Sequence, residues 1–134
     1  MNLHKIDHVG IAVSDLDESI RIYTDLFGKG PDEQCLLESE NVKIAFFEVG
    51  ESSIELLEAT SNDSSIAKFI SKKGPGMHHI CYRVNDLDSA RTEMISKGYR
   101  CIDEKPRKGA HNTRVCFFHP RDMGGVLIEL SEQL

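Results

Sequence analysis

At 134 residues the chain is long enough to bury one core and too short for two independent domains, so a single domain over 1–134 is predicted and any internal halves must share their packing. Sixteen basic residues against 22 acidic ones give a net charge of −6 with histidines neutral, which excludes non-specific nucleic-acid binding through a basic surface. The first residues hold no apolar stretch of signal-peptide length and no run approaches the roughly 18 apolar residues of a membrane span, so a soluble cytoplasmic protein with no membrane contact is expected.

In chain order, residues 6–13 predict a strand. Its alternation puts Val9, Ile11 and Val13 on one apolar face and His8, Gly10 and Ala12 on the other. Ser14-Asp15 followed by Asp17-Glu18 has the character of a helix N-terminus, Leu16, Ile20, Tyr23 and Phe27 recur at helical spacing, and Gly28 stops the helix. Strands follow around Ile44 and Ile54. Residues 61–65 lead into a short connecting helix with Ile66, Phe69 and Ile70 facing inward, and Gly74-Pro75-Gly76 is the clearest linker. Beyond it, Asn85-Asp86 caps a second helix whose apolar stripe is Leu87, Ala90, Met94 and Ile95, ended by Gly98. Cys35, Cys81, Cys101 and Cys116 form no Cys-x-x-Cys pair and are predicted to be reduced, packed thiols.

These elements repeat. His8-Val9-Gly10 through Asp15-Leu16-Asp17 lies over His79-Ile80-Cys81 through Asp86-Leu87-Asp88 at an offset of 71, and Asn41 to Phe47 lies over Asn112 to Phe118 at the same offset. Ile54-Glu55-Leu56 matches Ile128-Glu129-Leu130 at 74, which places three extra residues in the turn-rich stretch 119–125. Each copy reads as βαβββ, giving an α+β fold with repeat one at about 5–59, a connecting helix and linker at 60–76 and repeat two at about 77–132.

Strand parity then selects four polar residues. Ile80, Tyr82 and Val84 share the helix side of their strand, which turns His79, and not His78, to the other face. Ile54, Leu56, Ile128 and Leu130 do the same for Glu55 and Glu129. Imidazoles and carboxylates on a sheet face are costly to bury unless paired or metal-bound, and two of each suit a borderline divalent ion such as cobalt, zinc, nickel or manganese. His8, Glu55, His79 and Glu129 are therefore the predicted metal ligands. The alternative at this point is a polar sheet face that contacts a ligand directly.

Asp7-His8-Val9-Gly10-Ile11-Ala12-Val13, Ile54-Glu55-Leu56-Leu57-Glu58, His78-His79-Ile80 and Gly125-Val126-Leu127-Ile128-Glu129-Leu130 together resemble the vicinal-oxygen-chelate superfamily. Asp63 to Phe69 and Asp103 to Gly109 resemble its methylmalonyl-CoA epimerase family in particular. The resemblance implies a cupped, mostly antiparallel sheet of two half-barrels with helices on the convex face, a divalent metal at His8, Glu55, His79 and Glu129, an acyl-CoA substrate and a homodimer. It also implies epimerisation at carbon 2 of methylmalonyl-CoA, for which Glu129 and Glu55 are the candidate acid-base pair. Lys105, Arg107, Lys108 and Arg114, with His111, form one local basic cluster that suits CoA phosphates, or else a solvated hairpin flank. The rival readings are a glyoxalase I-like lyase acting on a thiol adduct of methylglyoxal and a non-catalytic antibiotic-binding protein of the same fold. No G-x-S-x-G, phosphate loop or dinucleotide fingerprint supports hydrolase, triphosphatase or dehydrogenase chemistry.

Overall fold

The β-branched and aromatic runs become strands and the capped amphipathic stretches become helices in the computed structural model, which describes every residue from Met1 to Leu134. The first copy consists of β1 (Leu3–Ala12), α1 (Leu16–Phe27), β2 (Glu33–Leu37), β3 (Val42–Val49) and β4 (Ser52–Ala59). After α2 (Ser65–Lys73) the second copy repeats the pattern as β5 (Gly76–Val84), α3 (Leu87–Ser96), β6 (Arg107–Lys108), β7 (Thr113–Phe118) and β8 (Ile128–Gln133). The chain packs as two units, Val9–His78 and Met1–His8 with His79–Leu134. The division falls inside β1, so this strand belongs in part to each unit, although the sequence repeat assigns it wholly to the first copy.

In the unit Val9–His78 the strand order is β2-β3-β4-β1, with β2, β3 and β4 antiparallel. Asp15 caps α1 by accepting from the Glu18 amide at 3.2 Å, and Gly28, at a φ of 73°, closes it with its N–H on the Thr24 carbonyl. The left-handed conformation at that cap is what the glycine supplies. Val13, Leu16, Ala45, Phe47 and Leu56 form the core, with Ile11, Ile20, Tyr23 and Phe27 packed against it. Ser64 caps α2, which buries Ile66 and sets Phe69 edge-on to the His78 ring at 5.0 Å.

In the other unit the order is β1-β5-β8-β7-β6, and here β5 and β8 run parallel while β7 pairs antiparallel with both β8 and β6. Its core is Val84, Leu87, Ala90, Cys116, Phe118 and Leu130, with Tyr82, Met94 and Ile128 alongside. Ile95 departs from the predicted stripe and is 42% exposed. It lies about 100° round the helix from the line of Leu87, Ala90 and Met94, so it turns outward. The extra residues of this copy fall in the β7–β8 connection, which makes a 3₁₀ turn at Pro120–Asp122.

All four cysteines are free thiols, with Cys81 and Cys116 buried. No helix is long and apolar enough to cross a membrane. Asp86 caps α3 as Asp15 caps α1, accepting from the Ser89 amide at 3.0 Å. Asp86→Ala is expected to cost about 1 kcal/mol, read as a lower urea midpoint at unchanged slope; an unchanged midpoint would show that the cap adds nothing.

Candidate metal centre

Three of the four selected side chains converge within one unit. His8 comes from β1, His79 from β5 and Glu129 from β8, where the register sets Cys81 beside Glu129 and so leaves His79, two residues earlier, on the same face. His8 Nε2 lies 3.0 Å from His79 Nε2 and 3.2 Å from Glu129 Oε1, and His79 Nε2 lies 3.0 Å from the same oxygen. The three residues are only 6–7% exposed. The imidazoles meet edge to face, with centroids 5.1 Å apart, and Phe117 packs edge-on to His79 at 5.7 Å.

Burial by itself works against a charged Glu129, but hydrogen bonds from His79 and His8, and their charge, outweigh it and hold the carboxyl well below its usual range. Asp7 Oδ2 lies 2.7 Å from His8 Nδ1. Burial of Asp7 is likewise outweighed, by the bond and charge of His8 and by the charges of Arg83 and Lys5, so its pKa is lowered. An ionised Asp7 can only accept, which places the proton of a neutral His8 on Nδ1 and leaves a lone pair on Nε2. In that neutral form His8 Nε2 has no proton to give Glu129 Oε1 at 3.2 Å, so a neutral His8 calls for another cation where a charged His8 supplies its proton.

A divalent metal ion fits that demand. Donors at right angles about an ion with bonds of about 2.1 Å stand about 3.0 Å apart, close to the three separations found here. The nearby grouping of Asp7, His8 and Cys81 is less suited. Its His8 nitrogen already faces Asp7, and burial followed by the Glu129 charge pushes the Cys81 thiol up, away from the thiolate a metal needs.

Glu55 lies on β4 in the other unit. It is 8% exposed and stands opposite Phe46, as Glu129 stands opposite Phe117. Three residues past each of these glutamates is another, Glu58 and Glu132, which parity sends to the helix side. Glu58 accepts from the Leu16 amide at 2.8 Å and Glu132 from the Leu87 amide at 2.7 Å, so each ties the first turn of a helix to its sheet. Sequence reasoning passed over this pair, although its repetition is visible in Ile-Glu-Leu-x-Glu.

The predicted basic cluster divides by face. Arg107 opposes Val115 on β7, which puts it on the side of Phe117 and Glu129. Its guanidinium lies 5.1 Å over the Phe117 ring and its Nε lies 2.9 Å from Asp103 Oδ1. Lys108 opposes Arg114 on the reverse face, where Arg114 meets Asp88 of α3 at 2.9 Å. Lys105 is exposed between α3 and β6. His111 and Asn112, with φ of 56° and 55°, form the left-handed turn into β7.

The family model for the Glyoxalase/Bleomycin resistance protein/Dioxygenase superfamily matches residues 7–117. A mitochondrial methylmalonyl-CoA epimerase of Homo sapiens is 39% identical over 132 residues, covering 98% of this chain and 75% of that protein. The structure of a methylmalonyl-CoA epimerase from Mycobacterium tuberculosis superimposes with a TM-score of 0.92 at 39% identity, over 98% of this chain and 89% of that one. A methylmalonyl-CoA epimerase solved in complex with methylmalonyl-CoA and NH4+ gives 0.93 at 35% identity, over 98% and 96% of the two chains. A lactoylglutathione lyase of Schizosaccharomyces pombe is 30% identical over 120 residues, spanning 73% of this chain and 38% of that protein. The cluster and its strands are thus set in a fold shared almost end to end with these epimerases, and the chain belongs to the glyoxalase/bleomycin resistance protein/dioxygenase superfamily.

Proposed function

We propose that this protein is a metal-dependent epimerase that interconverts the 2R and 2S forms of methylmalonyl-CoA. The observation that carries this reading is the buried cluster of His8, His79 and Glu129 in a chain that resembles methylmalonyl-CoA epimerases over nearly its whole length. The lyase alternative has weaker support, since its relative aligns over a smaller share of both chains.

His8, His79 and Glu129 hold the ion, and the repeat correspondence of Ile54-Glu55-Leu56 with Ile128-Glu129-Leu130 supports Glu55 as the fourth ligand. A divalent ion so held, whether cobalt, zinc, nickel or manganese, supplies Lewis-acid stabilisation of the negative charge that develops on the substrate oxygens. Glu129 takes the proton from carbon 2, and the C–H electron pair moves toward the thioester carbonyl to give an enolate. Glu55, protonated at the start of the turn, gives its proton to the opposite face, and the two carboxyls return to their starting states by proton exchange with solvent, so nothing is oxidised or reduced. Orientation of Glu129 comes from His8 and His79, which fix its Oε1 on one side.

Lys105, Arg107, Lys108 and Arg114 are the residues assigned to the CoA phosphates. Arg107 leads, because its guanidinium is held over Phe117 on the face of Glu129, whereas Arg114 lies on the reverse face. Neutralising Lys105, Arg107 and Lys108 together is expected to raise KM more than it lowers kcat; an unchanged KM would assign these residues to the solvated flank. A cytosolic homodimer completes the reading, its mass to be read by light scattering.

The deciding experiment follows deuterium entry at carbon 2 of methylmalonyl-CoA in D2O, with added divalent metals and with chelator, beside a glyoxalase assay. Metal-dependent exchange is expected. Absence of exchange under every metal, or turnover of the methylglyoxal adduct alone, would overturn the assignment.

A further inference from the structure

Asp7 is held from both sides. Its Oδ2 faces His8 Nδ1 at 2.7 Å and its Oδ1 accepts from Arg83 Nη2 at 2.5 Å. Arg83 is itself fixed, since its Nε donates to Ser131 Oγ at 3.1 Å and its Nη1 to Gln133 Oε1 at 3.5 Å. Ser131 is the register partner of Arg83 and stands two residues beyond Glu129 on β8. The guanidinium therefore spans from the strand that carries Glu129 to the carboxylate behind His8. Both side chains of the pair are largely shielded, at 19% and 17% exposed.

We propose that Arg83 is a positioning residue that holds Asp7 against His8, so that Asp7 sets the His8 tautomer and aims its Nε2 lone pair at the metal centre while Arg83 decides which atom of the group at position 7 faces the imidazole. This rests on the metal reading above. Groups behind a ligating imidazole commonly fix its orientation and basicity, and here a second residue fixes which way the group at position 7 is turned. A guanidinium only donates, so whatever replaces Asp7 must turn an acceptor toward Arg83. An amide at position 7 gives Arg83 its oxygen and presents its NH2 group to His8 Nδ1. That nitrogen must then accept, and the proton moves to Nε2, where it occupies the lone pair the metal needs. With Arg83 removed as well, the amide turns over and its oxygen accepts from Nδ1–H again.

The test uses the full chain and cobalt(II) as probe, with affinity measured by chelator competition and the site followed by its visible absorption. In parallel, 15N NMR of the metal-free proteins reads the His8 tautomer directly. Asp7→Asn is expected to weaken cobalt binding by roughly 10–100-fold and to move the His8 proton to Nε2. The double variant Asp7→Asn with Arg83→Met is expected to bind cobalt more tightly than Asp7→Asn alone and to restore Nδ1–H, a sign of coupling that merely additive structural damage does not produce. Arg83→Lys keeps a donor for Asp7, retains the wild-type tautomer, and serves as the comparison if Arg83→Met impairs folding. Additive losses in the double variant, or one unchanged His8 tautomer across all variants, would overturn the inference. Failure of the wild-type chain to bind cobalt would instead refute the metal reading, with the tautomers of the metal-free proteins still deciding the role of Arg83.

Discussion

Glu129→Gln is expected to slow exchange of the carbon 2 proton with solvent deuterium by roughly 10²–10⁴-fold, the range that a positioned acid or base contributes. Glutamine keeps the shape of the side chain and one oxygen, so the strand register and the packing around Phe117 are retained. It cannot take up a proton, and it loses the charge toward which His8 Nε2 and His79 Nε2 converge at 3.2 and 3.0 Å. Metal affinity should fall with that charge, so exchange is to be measured at saturating metal. Wild-type exchange in metal-loaded Glu129→Gln would end the assignment of Glu129 as the base. Glu55→Gln is expected to fall in the same range. If it binds metal less well but exchanges normally once loaded, Glu55 is a ligand without a proton to carry.

The largest expected effect on stability belongs to Phe118. Its ring is 1% exposed and packs with Val84, Leu87, Ala90, Cys116 and Leu130, while its backbone register sets it against Ile128, the neighbour of Glu129. Phe118→Ala removes buried apolar surface and leaves a cavity among Val84, Leu87, Ala90, Cys116 and Leu130, at a cost of about 3–5 kcal/mol. Native domains are stable by only about 5–15 kcal/mol, so the variant should approach half unfolding at a much lower denaturant concentration with little change in slope. A loss below about 1 kcal/mol would mean that the core collapses around the vacancy.

Phe117 and Phe118 show why parity carried so much of the sequence reading. Adjacent in the chain, they serve opposite faces: one packs edge-on to His79, the other fills the core beneath α3. The same alternation separated His79 from His78, which instead meets Phe69. It also sent Glu129 to the buried cluster and Glu132, three residues on, to the N-terminus of α3. Arg107 marks the limit of such reasoning. The first copy pairs Leu36 with Lys43 and Leu37 with Val42; carried over at the offset of 71, that register would face Arg107 toward Arg114. The observed pairing of Arg107 with Val115 is slipped by one residue, and a slip of one exchanges the faces of a strand. The cause lies in the turn, where His111 and Asn112 are both left-handed, and where a Cβ on Gly109 would meet Thr113 Oγ1 at 2.6 Å, so only glycine fits. The first copy turns instead through a 3₁₀ segment with Asn41 alone in that conformation.

By itself the sequence determined the duplicated βαβββ plan, the capped helices and the strand faces that carry His8, His79 and Glu129, because hydrophobic period and repeat offset are local quantities written along the chain. Only the tertiary structure decided that His8, His79 and Glu129 close to within 3.0–3.2 Å of one another, that the basic residues divide between two faces, and that Arg83 reaches across 76 positions to Asp7. Those outcomes depend on strand register and on side chains meeting from distant segments, and neither is encoded in the spacing of any one of them.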